Sequence, residues 1–409
     1  MNKRTLNDYI PIVGQSVIDE IRMLAEKLRG KKIKMINSTA VGGGVAEILH
    51  RLVPLFVEAG VDMKWEVIKG SEAFFAITKT MHNALHGKTV EFTNEMMEIF
   101  LAANRENAES MRFDEDIIII HDPQPAALIE KKIKSEARWL WRCHIDLSSP
   151  YAPVWKFLHH YVKMYDGAYF SSPKFSQKLA IPQYLLYPSI DPLSDKNREI
   201  PQSFIDKTLR KYHLDPHRPI ITQISRFDYL KDPVGVIEAY KMVKKKTDCQ
   251  LVLAGGGADD DPEAVQVLNE VKTHAAGEKD IHILELPPFS DLEINALQRA
   301  SRIILQKSLK EGFALTVAEG LWKGVPVIGS AVGGIPLQII HNFTGVLVHS
   351  IEGAAYQIRY LLSNPDFAKR LGQFGKELVR EKYVTTSHLR NYLLSFIAQQ
   401  YPEKSIIEI

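Results

Sequence analysis

Apolar residues in this chain follow two rhythms that alternate along most of its length. Val17, Ile18, Ile21, Leu24, Ala25 and Leu28 recur at helical spacing, so residues 15–29 are predicted to form an amphipathic helix lying on a sheet. A short apolar run at 33–36 predicts a strand; after it come Val41-Gly42-Gly43-Gly44-Val45 and a helical pattern through Leu55. Residues 61–68 read as a second strand and 71–112 as mostly helix, polar and methionine-rich. Asp116 then leads into four consecutive isoleucines, the pattern of a parallel strand buried on both faces. Further strands are predicted at 138–144 and 167–171.

Pro182, Pro188 and Pro192, with Asp191, break the periodicity and read as a crossing into a second domain. Beyond them the rhythm restarts, with strands at 219–225, 249–254, 281–284, 303–306, 325–329 and 346–348. Helices are expected at 234–246, 351–362, 367–382 and 386–400. Strands alternating with helices predict parallel sheets in an α/β fold. With 409 residues the chain exceeds one ordinary core. Two domains are expected, 1–192 and 193–385, with the C-terminal helix at about 386–409 packing back on the first.

Composition narrows the class. Hydrophobic residues at 45% and charged residues at 24% are ordinary for a soluble globular protein. A formal net charge of +2 gives no long-range pull toward nucleic acid or an anionic membrane, so neither is expected as a partner. Cys143 and Cys249 are the only cysteines, too few for a disulfide framework and suited to a reducing cytoplasm. The N-terminal residues lack the apolar run of a signal peptide, and no stretch has the 18 or so continuous apolar residues of a membrane span. Asn37-Ser38-Thr39 and Asn342-Phe343-Thr344 fit the glycosylation pattern and are read as chance matches.

The candidate chemistry gathers where strands end, the edge at which open α/β sheets bind ligands. Strand, Gly42-Gly43-Gly44 loop, helix is an arrangement that brings backbone N–H groups to an anion. It is not a full dinucleotide fingerprint, since Glu47 stands where the last glycine belongs, and Gly87-Lys88-Thr89 is not a Walker loop, since His82 stands where its first glycine belongs. His121-Asp122-Pro123-Gln124 follows the isoleucine strand, and Trp139-Leu140-Trp141-Arg142-Cys143-His144-Ile145-Asp146 sets hydrogen-bonding groups beside aromatic rings, a pairing that suits sugars. In the second half, Arg226 and Lys231 lie on a strand-to-helix loop beside a helix start near Pro233, where two cations and a helix dipole favour a diphosphate. Asp259-Asp260-Asp261 after a glycine turn reads as a loop and helix cap rather than a metal site. Glu311 and Glu319 are eight residues apart around a segment that reads as helix. A helical rise separates them by about 12 Å. Paired glycosidase carboxylates lie only about 5 to 9.5 Å apart, so these two are expected to hold different parts of one long ligand.

In this order and spacing the residues resemble the retaining GT-B glycosyltransferases of the glycogen synthase and sucrose synthase type. The matching pieces are the glycine loop, Ser225-Arg226 with Lys231, Glu311-Gly312-Phe313 with Glu319, and Gly333-Gly334 after a Pro-Val-Ile strand. One departure is Glu319-Gly320, where that family often has Glu-Ala. The resemblance implies two Rossmann-like doubly wound domains facing a cleft. More narrowly, His121-Asp122-Pro123-Gln124-Pro125 and Trp141-Arg142-Cys143-His144-Ile145-Asp146 look like trehalose synthases of the glycosyltransferring type.

That resemblance implies transfer of glucose from ADP-, UDP- or GDP-glucose to free glucose. Arg226, Lys231, Glu311 and His144 would be catalytic, with His144 on the glucose being transferred. Gly42, Gly43, Gly44, Leu286, Leu315, Glu319, Gly333 and Gly334 would bind the donor. His121, Asp122 and Gln124 would bind the acceptor. No metal ligand and no cofactor is expected beyond Mg2+ accompanying the nucleotide, and a homodimer is an assembly compatible with the chain. Trehalose phosphorylase, using glucose 1-phosphate, is the nearest alternative, followed by a GT-B transferase with another sugar acceptor. An NAD-dependent oxidoreductase would need the complete glycine fingerprint, and a sugar-nucleotide sensor would have little need of an acceptor cluster.

Overall fold

The computed structural model describes residues 4–41, 43–134, 136–256 and 262–401. The chain divides into two compact units, Met1–Ser189 with Thr385–Ile409, and Ile190–Val384. Each is built on one parallel six-stranded sheet.

The first unit contains β1 (Lys32–Asn37), β2 (Asp62–Val67), β3 (Ile117–His121), β4 (Arg138–Arg142), β5 (Gly167–Phe170) and β6 (Gln183–Leu185), in the spatial order β2-β1-β3-β4-β5-β6. The second contains β7 (Ile220–Ile224), β8 (Gln250–Gly256), β9 (Ile281–Leu286), β10 (Ile303–Gln306), β11 (Val327–Ser330) and β12 (Val346–Val348), in the order β12-β11-β10-β7-β8-β9. The helices that frame the sites are α1 (Gln15–Glu26), α2 (Gly43–Glu58), α3 (Pro233–Lys244), α4 (Asp291–Ala300), α5 (Leu315–Trp322) and α6 (Thr385–Gln399).

Burial explains the composition of these strands. Every residue of β3 is buried, which is why it can be a run of isoleucines. The same holds for β7, whose Ile220, Ile221 and Ile224 serve the cores on its two faces. On α1, Ile18, Ile21, Leu24 and Ala25 are buried, as the helical spacing predicts. Helix α6 is buried nearly all round and packs on the first unit, with Phe56 of α2 against Tyr392 and Phe396 and Arg390 paired to Glu20 of α1 at 2.9 Å. Strand β6 and the helices Ala152–Val162, Gln202–Lys211 and α4 are additional to the elements read from the sequence. β6 is three residues long, too short to show a rhythm. Among the described residues, no helix is long and apolar enough to cross a membrane.

In each sheet the strand order reverses once. In the first unit the chain leaves β1 toward β2 on one side and resumes on the other with β3, so the switch lies between β1 and β3. In the second it lies between β7 and β10. The carboxyl ends of strands at such a switch leave a crevice, because the connecting chains depart in opposite directions.

Candidate active site

The switch point of the second unit brings together residues about eighty positions apart in the chain. The loop after β7 carries Arg226 and Lys231, and the loop after β10 carries Lys307, Ser308 and Glu311. Leu309 N–H donates to Leu230 O at 2.8 Å, and the Gln223 side chain bridges Lys231 O and Lys307 N–H at 2.9 and 3.0 Å. These bonds set Lys231 Nζ 2.6 Å from Glu311 Oε2, an ion pair whose side chains are 18% and 9% exposed. Glu311 Oε2 also accepts from Ser308 Oγ at 3.1 Å and Gln306 Nε2 at 3.3 Å. All these bonds converge on one oxygen, Oε2.

Glu311 stands ahead of the helix rather than on it. Ala314, in the left-handed region at φ 68°, turns the chain, and α5 begins only at Leu315. The helical ruler between Glu311 and Glu319 is therefore corrected: helical rise applies from Leu315 onward, and a tight loop covers the rest. Leu315 opens α5, which has no side-chain cap; Val317 N–H donates to Ala314 O at 3.0 Å, so the N–H groups of Leu315 and Thr316 are the ones left to donate to an anion. Glu319, 3% exposed, accepts from Gln298 Nε2 of α4 at 3.1 Å and lies 3.8 Å from Lys196 Nζ.

Gly333 and Gly334 pack directly against the Glu311 loop. A Cβ on Gly333, at φ +55°, would fall 1.7 Å from Glu311 O, and one on Gly334 would fall 2.5 Å from Gly312 O. Their absent side chains let the turn after β11 lie directly on the Glu311 loop. The Gly334 N–H donates to Gly312 O at 3.0 Å and is not available to a diphosphate. Arg226 is the outward cation, 75% exposed and 3.0 Å from Asp228. Leu286 is 2% exposed and packs in the core, so any ligand contact there belongs to its backbone. Just beyond it, Phe289 is 95% exposed at φ 66°, a conformation that costs a bulky residue energy and turns its ring to solvent.

The sequence reading missed Lys307. Its side chain, 9% exposed, pairs with Asp232, which caps the start of α3 by accepting from Gly235 N–H at 3.1 Å. Lys307 is the first residue after β10, so the strand-end rule applied there would have found it. Asp259-Asp260-Asp261 lie outside the described residues. Among those described, no group of three or more His, Cys, Asp or Glu is placed to hold a metal ion.

In the first unit the switch point carries His121, the last residue of β3, and Asp122 and Gln124 just after it. Asp122 sits in the left-handed region at φ 65°. Its N–H donates to Arg142 O, its carbonyl accepts from Trp141 Nε1 at 3.0 Å, and its carboxylate accepts from His144 N–H at 2.7 Å. β4 ends at Arg142, and these bonds hold His144 in the irregular segment just beyond the strand. His144 Nε2 and His121 Nδ1 are 3.0 Å apart. His121 is 1% exposed, so burial leaves it no face of its own to offer an acceptor; His144 is the half-buried outer partner. Gln124 Oε1 is buried with no protein partner.

Burial sets the charge states here. It pushes the Asp122 carboxyl up to about 7, against the opposing pull of the His144 N–H and Arg142. It holds His121 down at about 3, helped by the Arg142 charge, and His144 is lowered by the same causes. Both imidazoles are thus neutral near pH 7. On the other side of the switch, Gly43 and Gly44 form the first turn of α2 rather than a loop, and Gly42 lies outside the described residues.

Two family models match the chain: "Trehalose synthase, N-terminal domain" over residues 35–177, and "Glycosyl transferases group 1" over residues 204–378. A trehalose synthase of Pyrococcus horikoshii is 46% identical over 400 residues, covering 96% of this chain and 95% of that one. A trehalose phosphorylase of Pleurotus pulmonarius is 29% identical, over 98% of this chain and 61% of its own length. Among solved structures, an α,α-trehalose-phosphate synthase (UDP-forming) from Burkholderia xenovorans has the same fold, with a TM-score of 0.71 at 14% identity over 90% of this chain and 100% of that one. The chain belongs to the trehalose synthase family and is a glycosyltransferase of the GT-B fold.

Proposed function

We propose that the protein transfers glucose, with retention of configuration, from a nucleoside-diphosphate glucose to free glucose, forming α,α-trehalose and the nucleoside diphosphate. The observation that carries this reading is the Lys231–Glu311 pair at the β7/β10 switch, beside the uncapped start of α5. A cation joined to a carboxylate suits a ligand that is anionic at one end and hydroxylic at the other.

In this reading Arg226, Lys231 and the first N–H groups of α5 take the diphosphate, while Glu311 Oε1 accepts from hydroxyls of the transferred glucose. As the anomeric carbon–oxygen bond breaks, negative charge collects on the leaving phosphate, where these donors stabilise it. No carboxylate is assigned to attack the anomeric carbon. The acceptor hydroxyl oxygen instead bonds to that carbon from the face the phosphate leaves, and its proton passes to the departing phosphate oxygen. Atoms balance, and the reverse reaction uses the same groups. His144 contacts the transferred glucose, and Asp122 and Gln124 hold the acceptor. Phe289 offers its ring to the base. No cofactor is assigned, and Mg2+ would travel with the diphosphate.

Glu319 is read as the ribose ligand. A carboxylate has about four lone-pair sites, and two partners leave room for a ribose diol. Glu319→Ala is then expected to raise the donor KM with little change in kcat; a loss confined to kcat would contradict ribose binding.

Phosphorolysis is the second reading, supported by the likeness to the Pleurotus pulmonarius enzyme. The deciding assay incubates the protein with glucose and ADP-, UDP- or GDP-glucose, and separately with glucose and glucose 1-phosphate. Trehalose is expected from at least one nucleotide sugar. Trehalose formed only from the phosphate ester would overturn the synthase reading.

A further inference from the structure

We propose that Arg142 sets the tautomer of His144 through His121, so that His144 meets its sugar ligand as an N–H donor at Nδ1 and not as a base. The inference rests on the reading that His144 contacts a sugar.

His121 and Arg142 are register partners on β3 and β4, and side chains at paired positions of adjacent strands leave a sheet on the same face. Arg142 is fully buried. Its Nη2 donates to Leu186 O at 2.5 Å and Ser171 Oγ at 3.4 Å, while Nε and Nη1 have no protein partner. His121 Nε2 is likewise buried and unpartnered. Helix α6 closes this face with His388 and Tyr392; His388 Nδ1 is 2.9 Å from Ser189 Oγ, and His388 Nε2 and the Tyr392 hydroxyl are unpartnered. Asp122, joined to the His144 N–H, is the carboxylate within electrostatic reach of Arg142.

The proton count follows from these positions. The His121 and His144 rings lie with planes 13° apart and centroids 5.4 Å apart, which with a 3.0 Å Nδ1–Nε2 distance places them edge to edge. Two neutral imidazoles joined this way share one proton in that bond. The nitrogen that carries it is decided by what the far nitrogen meets. Of the groups on this face, His388 and Tyr392 can either donate or accept, whereas a guanidinium only donates. A bare His121 Nε2 complements the free Arg142 N–H groups, and a protonated one would oppose them. His121 therefore carries its proton on Nδ1 and donates to His144 Nε2. His144, being neutral, holds its own proton on Nδ1, where a sugar oxygen can accept it.

The test reads the tautomer directly. Ligand-free, full-length protein labelled with 15N at histidine is examined by long-range 1H–15N correlation, with the His144 signals identified by their loss in His144→Ala. The expected spectrum shows a protonated Nδ1 and a bare Nε2; a proton on Nε2, or a doubly protonated ring, overturns the inference. A second comparison uses His121→Asn, whose amide N–H stands near the Nδ1 position, and His121→Leu, which has no donor. His121→Asn should keep the Nδ1–H tautomer and exceed His121→Leu in kcat by about tenfold, the worth of one hydrogen bond. Equal kcat in the two variants also overturns it. The spectrum needs no substrate, so its failure is distinct from a failure of the transferase reading, which the product assay decides.

Discussion

Lys231→Ala is expected to lower kcat by on the order of 10² to 10³-fold at saturating nucleotide sugar, the cost of removing one donor aimed at developing negative charge. The same change should also destabilise the fold. Glu311 would remain buried with only Gln306 and Ser308 as partners, and breaking a buried pair from one side costs about 3 kcal/mol or more. Two further variants separate these effects. Arg226→Ala removes a side chain that is 75% exposed, whose pairing with Asp228 contributes little to stability, yet it should lower kcat by a similar factor. Lys231→Ala combined with Glu311→Ala should recover stability, because the orphaned carboxylate is gone, without recovering turnover. Steady-state kinetics with thermal melts on the same samples would check all three. Near-wild-type kcat in both single variants would reduce Lys231 to a structural anchor for the loop after β10.

The second large effect is on pH dependence. Asp122 has its carboxyl raised from 3.8 to about 7, chiefly by burial. Below pH 4 the group is protonated in both folded and unfolded chains and contributes nothing. Between about 4 and 7 the unfolded chain releases the proton while the folded one keeps it, so stability falls as pH rises, by about 1.4 kcal/mol per pH unit. Above about 7 both forms are ionised and the loss is complete. Asp122→Asn cannot ionise, so the difference in unfolding free energy between wild type and this variant should shrink or reverse across that window. Urea denaturation of both proteins at pH 4.5, 5.5, 6.5 and 7.5 measures it. A difference that stays constant with pH would mean that Asp122 titrates normally and that its bond from the His144 N–H outweighs burial.

Much of the fold was legible before any coordinates, for local reasons. The isoleucine run of β3 can only be a strand covered on both sides, and the helical spacing of Ile18, Ile21 and Leu24 can only be one buried face. The positions of the candidate chemistry were legible too, because His121 ends a strand, Asp122–Gln124 follow it directly, and Arg226–Lys231 lie just past another. Other features were hidden. Three residues of β6 show no periodicity, and the three glycines 42–44 look like a loop even though a helix begins at Gly43. Glu311 and Glu319 look co-helical because Ala314, an ordinary helix former, gives no sign that it adopts φ 68° and turns the chain.

Taken alone, the sequence determined what local pattern can determine: an α/β chain of parallel strands, with polar and charged groups following particular strands. The tertiary structure decided which of these groups meet. Lys231 pairs with Glu311, Lys307 with Asp232 and His121 with His144 because β10 lies beside β7 and β4 beside β3. Strand neighbours in a parallel sheet are set by the crossover helices and the burial of both faces, not by nearness along the chain. For the same reason the partner of Glu311 lies eighty residues before it, and His388 reaches the Arg142 face only because α6 docks on the first unit.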